Sequence, residues 1–174
     1  MMRMASDTIA LSIASRAKRA IVLLDRTDRA ILAELQRDGR MPNNVLADRV
    51  GLSPAPCLRR VRRLEAEGYI AGYAAVLAPD RLDRGLVVYV RIRLSHQTRD
   101  AIERFEREIL AVPDVLECHA MVGDPDYMLR VAARDLDQYR EWFMEHLAPL
   151  AGVDTIESQV AFRTIKSTTE LPID

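Results

Sequence analysis

Residues 53–67, SPAPCLRRVRRLEAE, constrain the fold more than any other stretch of the chain. They predict one short helix with a defined start. Ser53 suits the N-cap, where its hydroxyl can accept a free backbone N–H. Pro54 suits the first helical position, where its missing N–H costs nothing. Cys57, Leu58, Val61 and Leu64 recur three and four residues apart and form an apolar back. Arg59 and Arg63 point the opposite way beside Ala55 and Pro56, with Arg60 and Arg62 on the flanks. Four arginines and no acid thus fall within residues 53–63. Such a helix must seat its back on a partner while presenting cations. The major groove of B-DNA admits a helix, and arginine reaches both phosphates and guanine edges. A charge run also fits an ordinary solvated face, so the preceding residues matter. Residues 43–52, NNVLADRVGL, predict a second short helix with Ala47 inward, a turn at Gly51, and Leu52 filling the angle. That is the layout of a helix-turn-helix whose second helix enters the groove.

The overall net charge of -1 hides a gradient. Residues 1–24 are net +3, residues 25–84 net +2 and residues 85–174 net -6. A basic front and an acidic back suggest two modules, with only the front approaching phosphate. The expected order is a flexible tail over 1–23, helical near Arg16 to Leu23, a winged helix-turn-helix over 24–77, a hinge over 78–84 and a second domain over 85–174. No apolar run approaches the roughly 20 residues of a membrane span, and no secretion signal is evident. These features point to a cytoplasmic protein without membrane contact. Cys57 and Cys118 stand far apart, outside any CxxC, and read as small buried hydrophobes in a reducing compartment.

Asp25 to Asp38 predicts a support helix with Ile31, Leu32 and Leu35 inward, capped by Asp25 and ended by Gly39. Tyr69 to Leu77 predicts a short β segment placed as a wing. From Gly85 the period changes to two: Val88, Val90, Ile92 and Leu94 face one way, and Tyr89, Arg91 and Arg93 the other. Thr98 opens a helix to about Ala111. Val115–Val122 is a strand, Gly123–Asp126 a turn and Tyr127–Ala133 the next strand. Asp135, boxed by Gln138, opens a helix with Leu136, Tyr139, Phe143 and Leu147 in its stripe. Val153–Ile165 closes the pattern. The order β-α-β-β-α-β is the ferredoxin-like arrangement, so the fold class is α+β. Two helices cover one sheet face. The other, expected to carry Val, Tyr and Met, needs a cover, and a second copy supplies the simplest one: a homodimer, which also presents DNA-binding modules in pairs.

The segments DRTDRAILAELQRDGR, LADRVGLSPAPCLRRVRRLEAEGYIAGY and VGDPDY resemble the leucine-responsive regulator/AsnC (Lrp/AsnC) family of transcription regulators, from about Leu24 to Pro172. The resemblance implies an N-terminal winged helix-turn-helix and a C-terminal regulatory (RAM) domain that binds an amino acid. It implies dimers that assemble further, often as four dimers, and double-stranded operator or promoter DNA upstream of amino-acid metabolism genes as partner. By position it assigns DNA contact to Asn43, Asn44, Ser53, Pro54, Ala55, Arg59, Arg60, Arg62 and Arg63. Arg59 and Arg60, with Ser53 and Ala55 near the helix start, are expected to approach base edges, and Arg62 and Arg63 mainly to grip phosphate. It assigns the effector, held in a cleft between dimers, to Ala120, Gly123, Asp124, Asp126, Leu136, Gln159, Val160 and Ala161. Pro42 stands where the family usually has Ser or Thr, so Asn43 or Asn44 is expected to cap that helix. Gln159 stands where the family is often aromatic or hydrophobic, so leucine is not carried over as the effector.

The chemistry is compatible. An amino acid needs acceptors for its ammonium, which Asp124 and Asp126 offer, and donors for its carboxylate, which backbone N–H groups near Gly123 offer. The same GDPD also reads as a tight turn. No cofactor, metal or catalytic residue is indicated: His96, His119 and His146 lack metal-ligand spacing, and no phosphate loop or GxSxG occurs. Two alternatives stand beside the regulator: a sirohaem-decarboxylase-type enzyme of similar fold, and an architectural DNA-binding protein without effector.

Overall fold

In the computed structural model, which describes residues 23–173, the chain forms two units. One runs up to Ala74 and regains the chain from Thr168; the other is Ala75–Ser167. The expected tail over 1–23 lies, but for Leu23, outside the described residues.

The first unit holds three helices: α1 (Arg26–Arg37), α2 (Asn43–Arg49) and α3 (Pro54–Ala66). Helix α1 begins with a reciprocal cap, Asp25 accepting from the Asp28 N–H at 2.8 Å and Asp28 from the Asp25 N–H at 3.2 Å. Ile31, Leu46, Ala47, Cys57 and Leu64 form the core, each at most 2% exposed. Ala47 is fully buried where α2 meets α3, as expected of a small residue at the crossing. Gly51, at φ 70°, turns the chain, and the Leu52 N–H donates to the Ala47 carbonyl at 2.9 Å.

Three local expectations change. Pro42 is the N-cap of α2, not Asn43 or Asn44, and no side chain caps that end. Ser53 is the N-cap of α3, but its hydroxyl makes no cap bond. The wing segment 69–77 is irregular, because its backbone finds no strand to pair with among the described residues. The C-terminal residues, grouped by sequence with the second domain, pack with the first. Ile173 joins its core cluster, and the Gln36 amide clasps Leu171, donating to its carbonyl at 3.1 Å and accepting from its N–H at 2.6 Å.

The second unit contains β1 (Leu86–Leu94), α4 (Arg99–Leu110), β2 (Val115–Ala120), β3 (Tyr127–Ala133), α5 (Leu136–Trp142) with a π turn over Phe143–Leu147, and β4 (Val153–Val160). The strands run antiparallel in the order β2-β3-β1-β4, as the ferredoxin-like reading requires. Val88, Val90, Ile92, Leu129 and Val131 are fully buried on the same face as Phe105, Trp142 and Leu147. The last strand stops at Val160 rather than Ile165, and Leu136 lies 60% exposed outside its expected stripe.

The open sheet face departs from the apolar surface expected. Pleating sends Val88 and Val90 of β1 to the helices and leaves Val87 outside, so the outer face carries Arg91, Arg93, Arg130, Glu117 and Glu157 around Val87, Tyr89 and Met128. Arg91 pairs with Glu157 at 2.8 Å and Arg130 with Glu117 at 2.7 Å. Cys57 is buried as expected, whereas Cys118 is exposed on the edge strand β2.

Candidate functional site

Helical spacing sorts the arginines of α3 into two stripes. Ala55, Arg59 and Arg62 follow at i, i+4 and i+7 and are exposed. No carboxylate pairs with Arg59 or Arg62 among the described residues. Pro56, Arg60 and Arg63 form the adjacent stripe, turned toward the start of α1. Arg60 Nη1 lies 2.6 Å from Asp25 Oδ2 and 2.8 Å from Asp28 Oδ1. Arg63 Nη2 lies 2.6 Å from Asp28 Oδ2 as an ion pair that lacks the alignment of a hydrogen bond, and its Nε is buried without a partner. Asp28 is 1% exposed. Hydrogen bonds to the Asp25 and Asp28 carboxylates hold the Arg60 guanidinium above arginine's ordinary pKa, and the Asp28 carboxylate beside it does the same for Arg63. The Asp28 N–H, then Arg60, holds the Asp25 carboxyl below the usual range.

The expectation that all four arginines face outward therefore changes: two face out and two face α1. Sequence offers one signal for this, Asp28 two helices earlier, which by itself reads only as a first-turn acid. Asn43 is also occupied, its Nδ2 donating to the Pro54 carbonyl at 2.8 Å and tying the starts of α2 and α3 together. Asn44, Ser53, Pro54 and Ala55 are exposed.

In the second unit, the turn after β2 borders an open depression of about 690 Å³ lined by Arg93, the 94–98 loop, Gly123, Asp124 and Asp126. Gly123 has φ 105°, a conformation that side chains disfavour. Both turn carboxylates already have partners. Asp126 accepts from the Leu94 N–H at 2.7 Å and from Gln97 Nε2 at 2.6 Å, fastening the loop after β1 to the turn. Asp124 pairs with Arg93 and, at 3.5 Å, with Arg91; the Arg93 bond holds its carboxyl below the usual range. His96, Gln97 and Thr98 line the same depression and were not singled out from sequence.

The eight expected effector residues do not meet within one chain. Ala120 pairs with Tyr127, beside the Gly123–Asp126 turn. Val160 pairs with Val88, Gln159 with Tyr89, and the Ala161 N–H reaches the Val87 carbonyl at 3.0 Å. That is the far end of the sheet, where β3 also runs out toward Leu136. At a strand rise of about 3.3 Å per residue, the two groups stand roughly 20 Å apart.

Among the described residues, no group of three His, Cys, Asp or Glu side chains could hold a metal ion, and no helix is long and apolar enough to cross a membrane.

Comparison with known proteins covers both units. Residues 24–71 match a winged helix-turn-helix DNA-binding model, and residues 87–171 match the Lrp/AsnC ligand binding domain. The leucine-responsive regulatory protein of Escherichia coli K12 is 45% identical over 150 residues, which cover 86% of this chain and 92% of that protein. A transcriptional regulator of Neisseria meningitidis, solved as its L-Met complex, superposes with a TM-score of 0.83 at 38% identity, covering 86% of this chain and 97% of the other. An AsnC family regulator of Agrobacterium tumefaciens superposes with a TM-score of 0.82 at 36% identity, with the same shares covered.

Proposed function

The chain belongs to the Lrp/AsnC family of transcription regulators, and on that premise we propose that it binds double-stranded operator or promoter DNA through α3 and responds to a free amino acid held by its second unit. The observation that carries the DNA half is the exposed Ala55–Arg59–Arg62 stripe, free of carboxylate partners, on a helix whose back is buried. Arg59, with Ser53 and Ala55, reads base edges; Arg62 grips phosphate; Asn44 and Pro54 flank them. Asn43, Arg60 and Arg63 serve within the unit instead.

The two groups of effector residues at opposite ends of the sheet favour a site completed by two chains. One chain brings Ala120, Gly123, Asp124 and Asp126, and another brings Leu136, Gln159, Val160 and Ala161. Such a site calls for a homodimer and for association between dimers. The open sheet face, with its paired charges, is the proposed dimer surface, joined by charge complementarity rather than by apolar cover. Because Asp126 is committed to Leu94 and Gln97, its part is to hold the wall of the site, and backbone groups near Gly123 meet the effector. The L-Met complex of the Neisseria relative supports an amino acid as the effector class. We read the chain as a cytoplasmic, non-enzymatic regulator.

Binding to the tightest duplex selected from a random pool tests the DNA half. Arg59→Ala should lose about 1–3 kcal/mol and relax sequence preference at one position. Wild-type affinity and preference in that variant would discard the assignment. Calorimetric titration with each amino acid in turn tests the effector half; no heat with any of them would discard it.

A further inference from the structure

The geometry points to Asp28 as a positioning residue that sets DNA specificity, by withholding two of the four recognition-helix arginines from the phosphate backbone. The inference rests on the reading of α3 as the groove helix. Asp28 makes no solvent contact to speak of, at 1% exposed, and both of its oxygens are committed: Oδ1 to Arg60 at 2.8 Å and Oδ2 to Arg63 at 2.6 Å. Asp25 adds a second carboxylate to Arg60 at 2.6 Å. Two negative charges on the first turn of α1 thereby answer two positive charges on α3.

The cluster costs more than a simple helix clamp would need. A buried ion pair is weak evidence for stability, since apolar residues of similar volume often serve as well. Arg63 in particular keeps a buried Nε without a partner, which is an inefficient way to hold two helices together. What the cluster does achieve is a division of charge. Sequence-independent affinity for DNA rises with each cation that neutralises a phosphate, whereas discrimination comes from contacts to base edges. Four free guanidiniums on thirteen helical residues would raise binding to every sequence alike. With Arg60 and Arg63 tied to α1, the exposed stripe keeps Arg59 and Arg62, and α3 is held at one rotation about its axis.

The dependence of binding on salt separates this role from a merely structural one, because loss of stability does not change how many phosphates are neutralised. Full-length protein is titrated against a random-sequence duplex and the selected duplex over a range of salt. Each phosphate contact contributes about 0.9 to the slope of log K against log salt. Arg60→Gln and Arg63→Gln should leave the slope as in wild type, whereas Arg62→Ala should make it shallower by about 0.9 per bound chain. Asp28→Asn should steepen it by up to the same amount for each arginine released, and should tighten binding to the random duplex more than to the selected one. Asp28→Asn combined with Arg63→Gln should bring the slope back toward wild type. A shallower slope in Arg60→Gln or Arg63→Gln overturns the inference, as does an Asp28→Asn protein that binds both duplexes with unchanged slope. If Asp28→Asn does not fold, the two glutamine variants carry the test alone. Wild-type protein without salt-dependent binding to either duplex removes the groove-helix reading itself, and the role of Asp28 with it.

Discussion

Arg60 and Arg63 stand one position from Arg59 and Arg62, and the helical period alone separates their fates. One pair looks outward; the other meets the carboxylates that open α1. The sequence pattern showed four cations on an amphipathic helix, and their count and rough direction were legible. Which two were answered was not, because the answering acids lie on another helix and their approach depends on tertiary packing. Asp25 makes the coupling testable by pH. Its folded pKa is lowered below the ordinary 3.8, first by the Asp28 N–H and then by Arg60. A depressed acid contributes stability that is complete above the unfolded value and is lost as pH falls through the folded one. Wild type should therefore exceed Asp25→Asn in melting temperature by a constant margin from pH 8 to 5, and the margin should shrink below 3.8. Scanning calorimetry across that range is the check, and a margin that persists in acid would remove the ion pair as its cause.

At the level of the element, the turn and the back of α3 are held by different physics. Gly51 has φ 70°, and a Cβ placed there would meet nothing within 4 Å. Gly51→Ala should then cost only the backbone price of the left-handed region, about 1–2 kcal/mol. Leu64 is fully buried, so Leu64→Ala should cost more, about 2–5 kcal/mol, from lost transfer energy and the cavity left behind. Denaturant titration of the first unit measures both; equal losses would mean that the turn carries a packing role its surroundings do not show. The helices and strands were readable from sequence because each has a strong period and a recognisable end. Thr98 and Asp135 do cap their helices, accepting from the N–H groups of Ala101 and Gln138. The wing was not readable in this way. A short apolar run such as Tyr69–Leu77 has β character, but a strand exists only where another strand accepts its hydrogen bonds. Asp126 reads from sequence as an acceptor for an amino acid; in the structure it accepts from the Leu94 N–H and from Gln97, at the end of β1 and in the loop after it, far away in sequence.

For the whole molecule, the separation of the proposed effector residues across the sheet gives a prediction about mixtures. Asp126→Ala damages one end and Val160→Asp the other, so each protein alone should lose its response to the amino acid. Co-assembled from a denatured and refolded mixture, the two should regain part of it, because a two-chain site can draw an intact half from each. Effector-dependent change in DNA binding is the readout. A mixture as unresponsive as its components would mean that each site is built within one chain. The two-module order and the βαββαβ topology were visible in the change of hydrophobic period at Gly85. The return of Leu171 and Ile173 to the first unit was not, since a single isoleucine and two hydrogen bonds between the Gln36 side chain and the Leu171 backbone leave no periodic trace.

That return has a genetic consequence. Ile173 belongs to the core of the DNA-reading unit, and Gln36 clasps the backbone of Leu171. A stop codon introduced between Val160 and Leu171 would therefore spare the sensing sheet, completed at Val160, and injure the reader built before Ala74. Nonsense alleles within residues 161–171 should behave like lesions in residues 24–74. For the same reason, a reporter inserted directly after Ile173 would burden promoter recognition before it touched metabolite sensing.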